Sequence, residues 1–233
     1  MNKLKAITFT NYGYIGYTKN LLKSIKSNSI NLDTVVYTTD EKTKQAISSL
    51  NFEVIKINSN VKVSNNYLKW KAGKNEFGVL MIKKFESIFH ALNNNELVLY
   101  IDGDIVIKKE IENYLLENIK NNDFLFQLDY NPKVVEQKEA CAGFMLIKSN
   151  SRTKEFFDPK NINFEYITSL PSHDQTYINL NKNKFNYEFL PLSEFPNGSY
   201  FYNFECTPKI IHFNYVIGRK KKYLMKRFNE WYI

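Results

Sequence analysis

Leu97-Val98-Leu99-Tyr100-Ile101-Asp102-Gly103-Asp104-Ile105-Val106-Ile107 is the stretch on which the reading of this chain turns. An apolar run rich in β-formers meets Asp-Gly-Asp and aliphatics follow, the pattern of a buried strand that breaks, exposes two carboxylates and resumes. Open α/β sheets bind ligands at the carboxyl ends of their strands, and two acids separated by one glycine can grip a divalent cation and an attached diphosphate. Gly103 would let the backbone approach such a ligand closely. A plain surface turn has the same composition, so the flanking sequence has to decide.

Outward from this stretch, 233 residues suffice for one α/β domain with a sizeable core. Residues 1–104 read as a nucleotide-binding half, and 105–233 as an acceptor half with a basic C-terminal segment. A hydrophobic content of 43%, 15% of the chain being aromatic, excludes a disordered protein. The formal net charge of +8 favours an anionic partner, and much of it gathers in Arg219-Lys220-Lys221-Lys222 and Lys226-Arg227. Cys141 and Cys206 are too few and too far apart for a disulfide scaffold, and no metal-ligand Cys spacing exists. Met1 to Thr8 turns polar before an apolar signal core could form, so the expectation is a soluble, cytoplasmic protein. Asn197-Gly198-Ser199 is then a turn rather than a glycosylation site.

Taken in order, Leu4 to Phe9 reads as a strand, Tyr17 to Ile25 as a helix, Thr34 to Asp40 as a strand ending in an acid, Glu41 to Leu50 as a helix and Phe52 to Ile57 as a third strand. This βαβαβ order predicts a mostly parallel, Rossmann-like sheet flanked by helices. Its first strand-to-helix loop has no GxGxxG, which argues against a dinucleotide site. Asn58 to Asn75, with Tyr67 and Trp70, is expected as a loop over one face of the sheet. Phe77 to Leu92 has a broad apolar helical stripe, which includes His90, with Lys84 at its edge, free either to snorkel to solvent or to reach a phosphate. Later come a helix over 112–120, strands at Phe124 to Asp129 and Cys141 to Ile147, a helix opening at Asp174, and strands at Phe185 to Pro191 and Lys209 to Asn214, the last containing His212.

This order of motifs resembles the GT-A fold glycosyltransferases, specifically the nucleotide-diphospho-sugar transferase family with its galactosyltransferases and glycogenin-like enzymes. By that resemblance Asp102, Asp104 and His212 hold Mn²⁺ or Mg²⁺, with the diphosphate of a nucleotide sugar, a UDP-sugar first of all, completing the shell. Two carboxylates and an imidazole suit such cations. Thr8, Thr10, Asn11 and Tyr12 after the first strand and Asp40 after the second are similar to the family's base and ribose contacts. Lys84 matches a lysine facing the donor, and Ala142 with Gly143 matches the backbone presented to the transferred sugar. Cys141 stands where relatives usually have Asn; with no sequence neighbour to activate it, it reads as a packing residue. Gly218 would hinge a basic lid in which Lys220, Lys221 or Lys222 neutralises the leaving diphosphate.

Asp174-Gln175 resembles the pair beside the anomeric carbon in relatives that retain configuration, where carboxylate and amide stabilise developing positive charge. Asp129 reads either as an acceptor contact or as a solvated strand-end acid. The resemblance thus implies transfer from a nucleotide sugar to a hydroxyl of a glycan, protein or small molecule, with no nucleic acid involved and with peripheral membrane contact open to the basic C-terminus. Two other readings fit parts of the pattern. A haloacid-dehalogenase-type phosphatase shares Asp-x-Asp after a buried strand, but places it near the N-terminus and needs a late acidic pair that is missing here. A basic nucleic-acid-binding protein fits the charge but lacks any nucleic-acid motif.

Overall fold

The computed structural model of the chain describes residues 4–58, 75–133 and 138–233. Strand β1 (Leu4–Phe9) leads into helix α1 (Ile15–Ser27), followed by β2 (Thr34–Thr38), α2 (Glu41–Ser48), β3 (Glu53–Lys56), α3 (Asn75–Asn94) and β4 (Leu97–Ile101). After β4 come β5 (Ile105–Ile107), α4 (Glu112–Ile119), β6 (Phe124–Leu128), β7 (Ala140–Lys148), α5 (Ser151–Phe157), α6 (Phe164–Ser169) and α7 (His173–Asn181). The chain continues through β8 (Tyr187–Leu190), a single turn α8 (Gly198–Phe201), β9 (Ile210–His212) and α9 (Arg219–Arg227). The expected βαβαβ opening is present; α1 runs a little longer than expected at both ends, whereas α2 stops at Ser48, short of the expected Leu50. Of the loop expected at Asn58 to Asn75, residues 59–74 lie outside the described residues, and Asn75 opens α3.

Seven strands form one sheet in the order β3-β2-β1-β4-β7-β6-β8. β1 to β4 run parallel to one another, β7 is antiparallel to β4 and β6, and β8 is parallel to β6. The sheet is therefore mostly parallel, with one reversed strand beside the central one. Period-two alternation sorts the central residues between two cores. Ile7, Val98 and Tyr100 face α3 with Phe85 and Ile88, whereas Ala6, Leu97, Leu99 and Ile101 pack with Leu21, Ile25 and Leu115 of α1 and α4. Burial on both faces is why β4 is an unbroken apolar run.

Two features carry the sheet's end into the site. β5 pairs antiparallel with β9, Ile105 opposite His212, which brings a residue from near the end of the chain beside Asp104. Along β6 and β7 the pairing jumps from Phe126–Met145 to Gln127–Cys141, so residues 142–144 bulge out of register next to the Asp102 strand end. Asp102 N donates to Gly143 O across that bulge at 2.7 Å.

The C-terminal segment is not the loose lid that the sequence suggested. Met225 of α9 is fully buried with Val106, Ile211 and Phe213, Lys108 Nζ donates to Glu230 Oε1 at 2.6 Å, and Asn20 Nδ2 donates to Glu230 O at 2.9 Å. Gly218, with φ 59° and ψ −137°, turns the chain into α9 through a conformation that side chains other than hydrogen strongly disfavour.

Candidate active site

Where β4 ends, a cleft of about 290 Å³ opens between the β1–α1 turn, the 142–143 bulge, α7 and α9. Asp102, Asp104 and His212 meet there: one oxygen of each carboxylate and one ring nitrogen lie within 4.8 Å of one another. His212 Nε2 is 3.4 Å from Asp104 Oδ1. Gly143 makes the room, since a Cβ on it would lie 2.4 Å from His212 Cε1 and 2.7 Å from Asp102 Oδ2. Two hard oxygen ligands and an imidazole around such a cradle fit a divalent cation. Gly103 lines the cleft too, but its missing Cβ makes way for Thr18, whose Oγ1 would be 2.6 Å away. Close packing of α1, as well as any ligand approach, therefore demands that glycine.

Two buried lysines flank the triad. Lys221 ion-pairs with Asp104 Oδ2 and donates to Tyr14 Oη at 2.9 Å. Burial alone would raise the Asp104 carboxyl; the Lys221 ammonium and His212 overcome it and hold Asp104 well below the usual carboxylate range. Burial would lower His212, and Cys141 and Asp104 together raise it to about 10. Of the three candidate lysines, only Lys221 faces the cleft; Lys220 and Lys222 are exposed.

Lys84 is buried rather than snorkelling. Its Nζ donates to Ala142 O and to Asp174 Oδ2, both at 2.7 Å, and lies 3.6 Å from Asp102 Oδ1. It also sits 4.3 Å from the centre of the Tyr100 ring, whose hydroxyl donates to Asp102 Oδ1 at 2.8 Å. Burial opposes its charge, but Asp102 and Asp174 raise its pKa, so the lysine is a fixed cation between two acids. α3 thus supplies the link between the strand-end carboxylates and α7.

On α7, Asp174 and Gln175 both line the cleft. Gln175 Nε2 donates to Asp129 Oδ2 at 2.8 Å, so its Oε1 is the atom turned to Ala142 N, 3.4 Å away. Asp129 is half-buried and engaged by neighbouring side chains. It also accepts from Asn197 Nδ2 at 2.9 Å and from the Tyr215 hydroxyl.

The remaining sequence candidates divide. Thr10, Asn11, Ala142 and Gly143 line the cleft. Thr8 sits inside β1, fully buried and paired with Val36, one turn of the pleat short of the cleft. Asp40 caps α2, accepting from Thr43 N at 2.7 Å and Tyr12 N at 3.2 Å, and Tyr12 itself is largely exposed. Neither lines the cleft. Cys141 is buried as expected, yet its Sγ lies 3.5 Å from His212 Nδ1, a neighbour the sequence does not reveal. His90, expected on the buried stripe of α3, is exposed, with Nδ1 2.9 Å from the Tyr37 hydroxyl. Tyr100 and Gln127 were not singled out from sequence; the signal was a lone polar-tipped residue inside each apolar strand.

Among known proteins, the chain is 26% identical to the UDP-galactose:fucoside alpha-3-galactosyltransferase of Dictyostelium discoideum, an alignment that takes in 98% of this chain but 43% of the relative. The chain thus spans less than half the length of that curated relative. Its fold superposes on the galactosyltransferase LgtC, solved with donor and acceptor sugar analogues, with a TM-score of 0.67 at 13% identity over 98% of this chain and 95% of the other. The glycosyltransferase GlyE of Streptococcus pneumoniae gives 0.61 at 16% identity over 97% and 60%. Those structural matches establish the α/β architecture as the GT-A type. A sequence model of the nucleotide-diphospho-sugar transferases matches residues 32–225, well over half of the chain, and with that match the protein belongs to the nucleotide-diphospho-sugar transferase family.

Proposed function

We propose that the protein is a metal-dependent glycosyltransferase that moves a sugar, with retention of configuration, from a UDP-sugar to a hydroxyl of a glycan or other acceptor. The observation that carries this reading is the convergence of Asp102, Asp104 and His212 around the Gly143 cradle, with Lys221 on one side and the Lys84–Asp174 pair on the other. Asp102, Asp104 and His212 would hold Mn²⁺ or Mg²⁺. The cation would supply positive charge to the leaving diphosphate.

In this reading the β1–α1 turn at Thr10 and Asn11 receives the nucleoside. Lys221 moves its charge from Asp104 to the diphosphate, and Ala142 and Gly143 offer backbone to the sugar. The bond from the anomeric carbon to the diphosphate oxygen breaks, the acceptor oxygen bonds to that carbon, and the acceptor proton leaves on the diphosphate. Asp174 and the carbonyl oxygen of Gln175 stabilise the positive charge that develops on the ring, a charge that fixed dipoles and carboxylates meet without reorganisation. Asp174 Oδ2 is engaged by the Lys84 ammonium, which holds the carboxylate in place as a fixed charge beside the ring, in line with retention.

The test is a panel of UDP- and GDP-sugars with Mn²⁺ and the isolated protein. Nucleoside diphosphate should appear with at least one UDP-sugar, and the anomeric proton of the product should report the α configuration of the donor. A β-linked product would overturn retention; inorganic phosphate released from phosphomonoesters, with no sugar nucleotide consumed, would overturn the whole reading.

A further inference from the structure

Gln127 of β6 is fully buried in a strand whose other members are Phe124, Leu125, Phe126 and Leu128. Desolvating an amide in such a place is unfavourable unless every polar atom finds a partner. Here both ends do. Nε2 donates to Pro196 O at 2.9 Å and to Phe195 O at 3.2 Å, and Oε1 lies 2.8 Å from His212 Nδ1. The two carbonyls accept only, so they fix which end of the amide is nitrogen. The oxygen must then face the histidine, and an oxygen facing Nδ1 at that distance requires the proton on Nδ1. Nε2, the nitrogen beside Asp104, is thereby the one whose lone pair can ligate.

The register jump between β6 and β7 supports the same assignment. At Phe126–Gln127 the pairing leaps from Met145 to Cys141, which sets Gln127 level with Cys141 and within reach of His212. Bulges of this kind re-aim side chains beside active sites.

We propose that Gln127 is a positioning residue, which holds the His212 ring in the Nδ1–H tautomer and in the orientation that presents Nε2 to the divalent cation. The inference rests on the metal site proposed above. Outer partners of this kind typically contribute about 10- to 100-fold to metal affinity.

Two substitutions separate this role from a packing role. Gln127→Met and Gln127→Glu both remove the N–H donors to Phe195 and Pro196, but only the methionine also removes the acceptor at His212 Nδ1. Mn²⁺ alone, titrated into each folded protein and followed by the electron paramagnetic resonance signal of the free ion, should bind about tenfold or more weakly to Gln127→Met. Gln127→Glu should stay within about threefold of wild type, because a carboxylate in that place is a common partner of a ligating histidine. Equal loss in both variants would reduce Gln127 to support for the 195–196 segment and overturn the inference, as would wild-type affinity in Gln127→Met. Should the methionine variant fail to fold, the wild type decides by itself: ¹⁵N NMR of His212 with saturating Mg²⁺ should show the proton on Nδ1, and a proton on Nε2 would refute the assignment. If wild type binds neither ion, the metal site itself is wrong and the inference falls with it.

Discussion

Gly143→Ala places the smallest possible obstacle at the centre of the proposed metal site. The added Cβ would stand 2.4 Å from His212 Cε1, 2.7 Å from Asp102 Oδ2 and 3.1 Å from His212 Nε2. Carbon contacts are comfortable at about 3.5 Å, so His212 and Asp102 must part by roughly 1 Å. Gly143 does not adopt a left-handed backbone, so the cost is spatial rather than conformational. Overpacking of this size costs about 1–3 kcal/mol, which lowers the melting temperature of a chain this long by about 2–12 °C. Metal ligation tolerates displacements of only about 0.2 Å, so Mn²⁺ affinity should fall more than about tenfold, or about 1.4 kcal/mol. Calorimetric titration of Mn²⁺ in the presence of UDP, paired with thermal melts, reads both effects. Gly16→Ala is the control: nothing lies within 4 Å of its Cβ, and it should leave the stability unchanged or raise it by about 0.5 kcal/mol. A Gly143→Ala protein that binds Mn²⁺ and UDP as wild type does would refute the cradle.

Other expectations follow from neighbouring contacts. Lys221→Met leaves the buried Asp104 carboxylate with His212 as its remaining charged partner, so the metal-free protein should lose stability, by up to about 3 kcal/mol, and added Mn²⁺ should raise its melting temperature by more than it raises that of wild type; equal increments would contradict the Lys221–Asp104 pairing. Asp174→Asn should lower kcat about 100-fold or more with little change in donor KM, measured by nucleoside diphosphate release; a change confined to KM would move Asp174 out of the charge-stabilising role. Truncation after Asn214 should melt far below wild type, because it uncovers Val106, Ile211 and Phe213; an unchanged melt would make α9 an appendage. Burial would lower the Lys108 pKa, but Glu230 and Tyr232 raise it, so the stability from this pair is complete below the unfolded value of about 10.4 and is lost as pH rises through the folded value. Glu230→Gln should accordingly flatten the alkaline fall of the melting temperature, and an unaltered slope would assign that fall elsewhere.

The sheet and the acids were legible because local patterns encode them. An apolar run buried on both faces announces β4, and Asp-Gly-Asp at its end announces a strand-end site. His212 was readable as a strand residue, but its meeting with Asp104 needed the β5–β9 pairing. Helical phase could have selected Lys221 from its basic neighbours: it stands four residues before buried Met225 on one face of α9, whereas Lys220 and Lys222 fall on the exposed side. The partners of Asp129 are not legible in sequence, because Gln175 and Asn197 lie 46 and 68 residues away. Lys84 was ambiguous for a similar reason, its acids coming from β4 and α7. Thr8 and Asp40 lie off the lining of the cleft, the first inside β1 opposite Val36 and the second capping α2, positions that a polar residue near a strand end does not disclose.

The most direct test of the account is the coupling of cation and donor at the Asp102–Asp104–His212 cluster. Two adjacent carboxylates favour a cation and a diphosphate arriving together, so calorimetry should show UDP-sugar binding in Mn²⁺ that disappears on chelation and in Asp104→Asn, with the variant still folded by its thermal melt. UDP-sugar bound equally tightly by wild type in chelator, or by Asp104→Asn in Mn²⁺, would contradict the metal site and the function built on it.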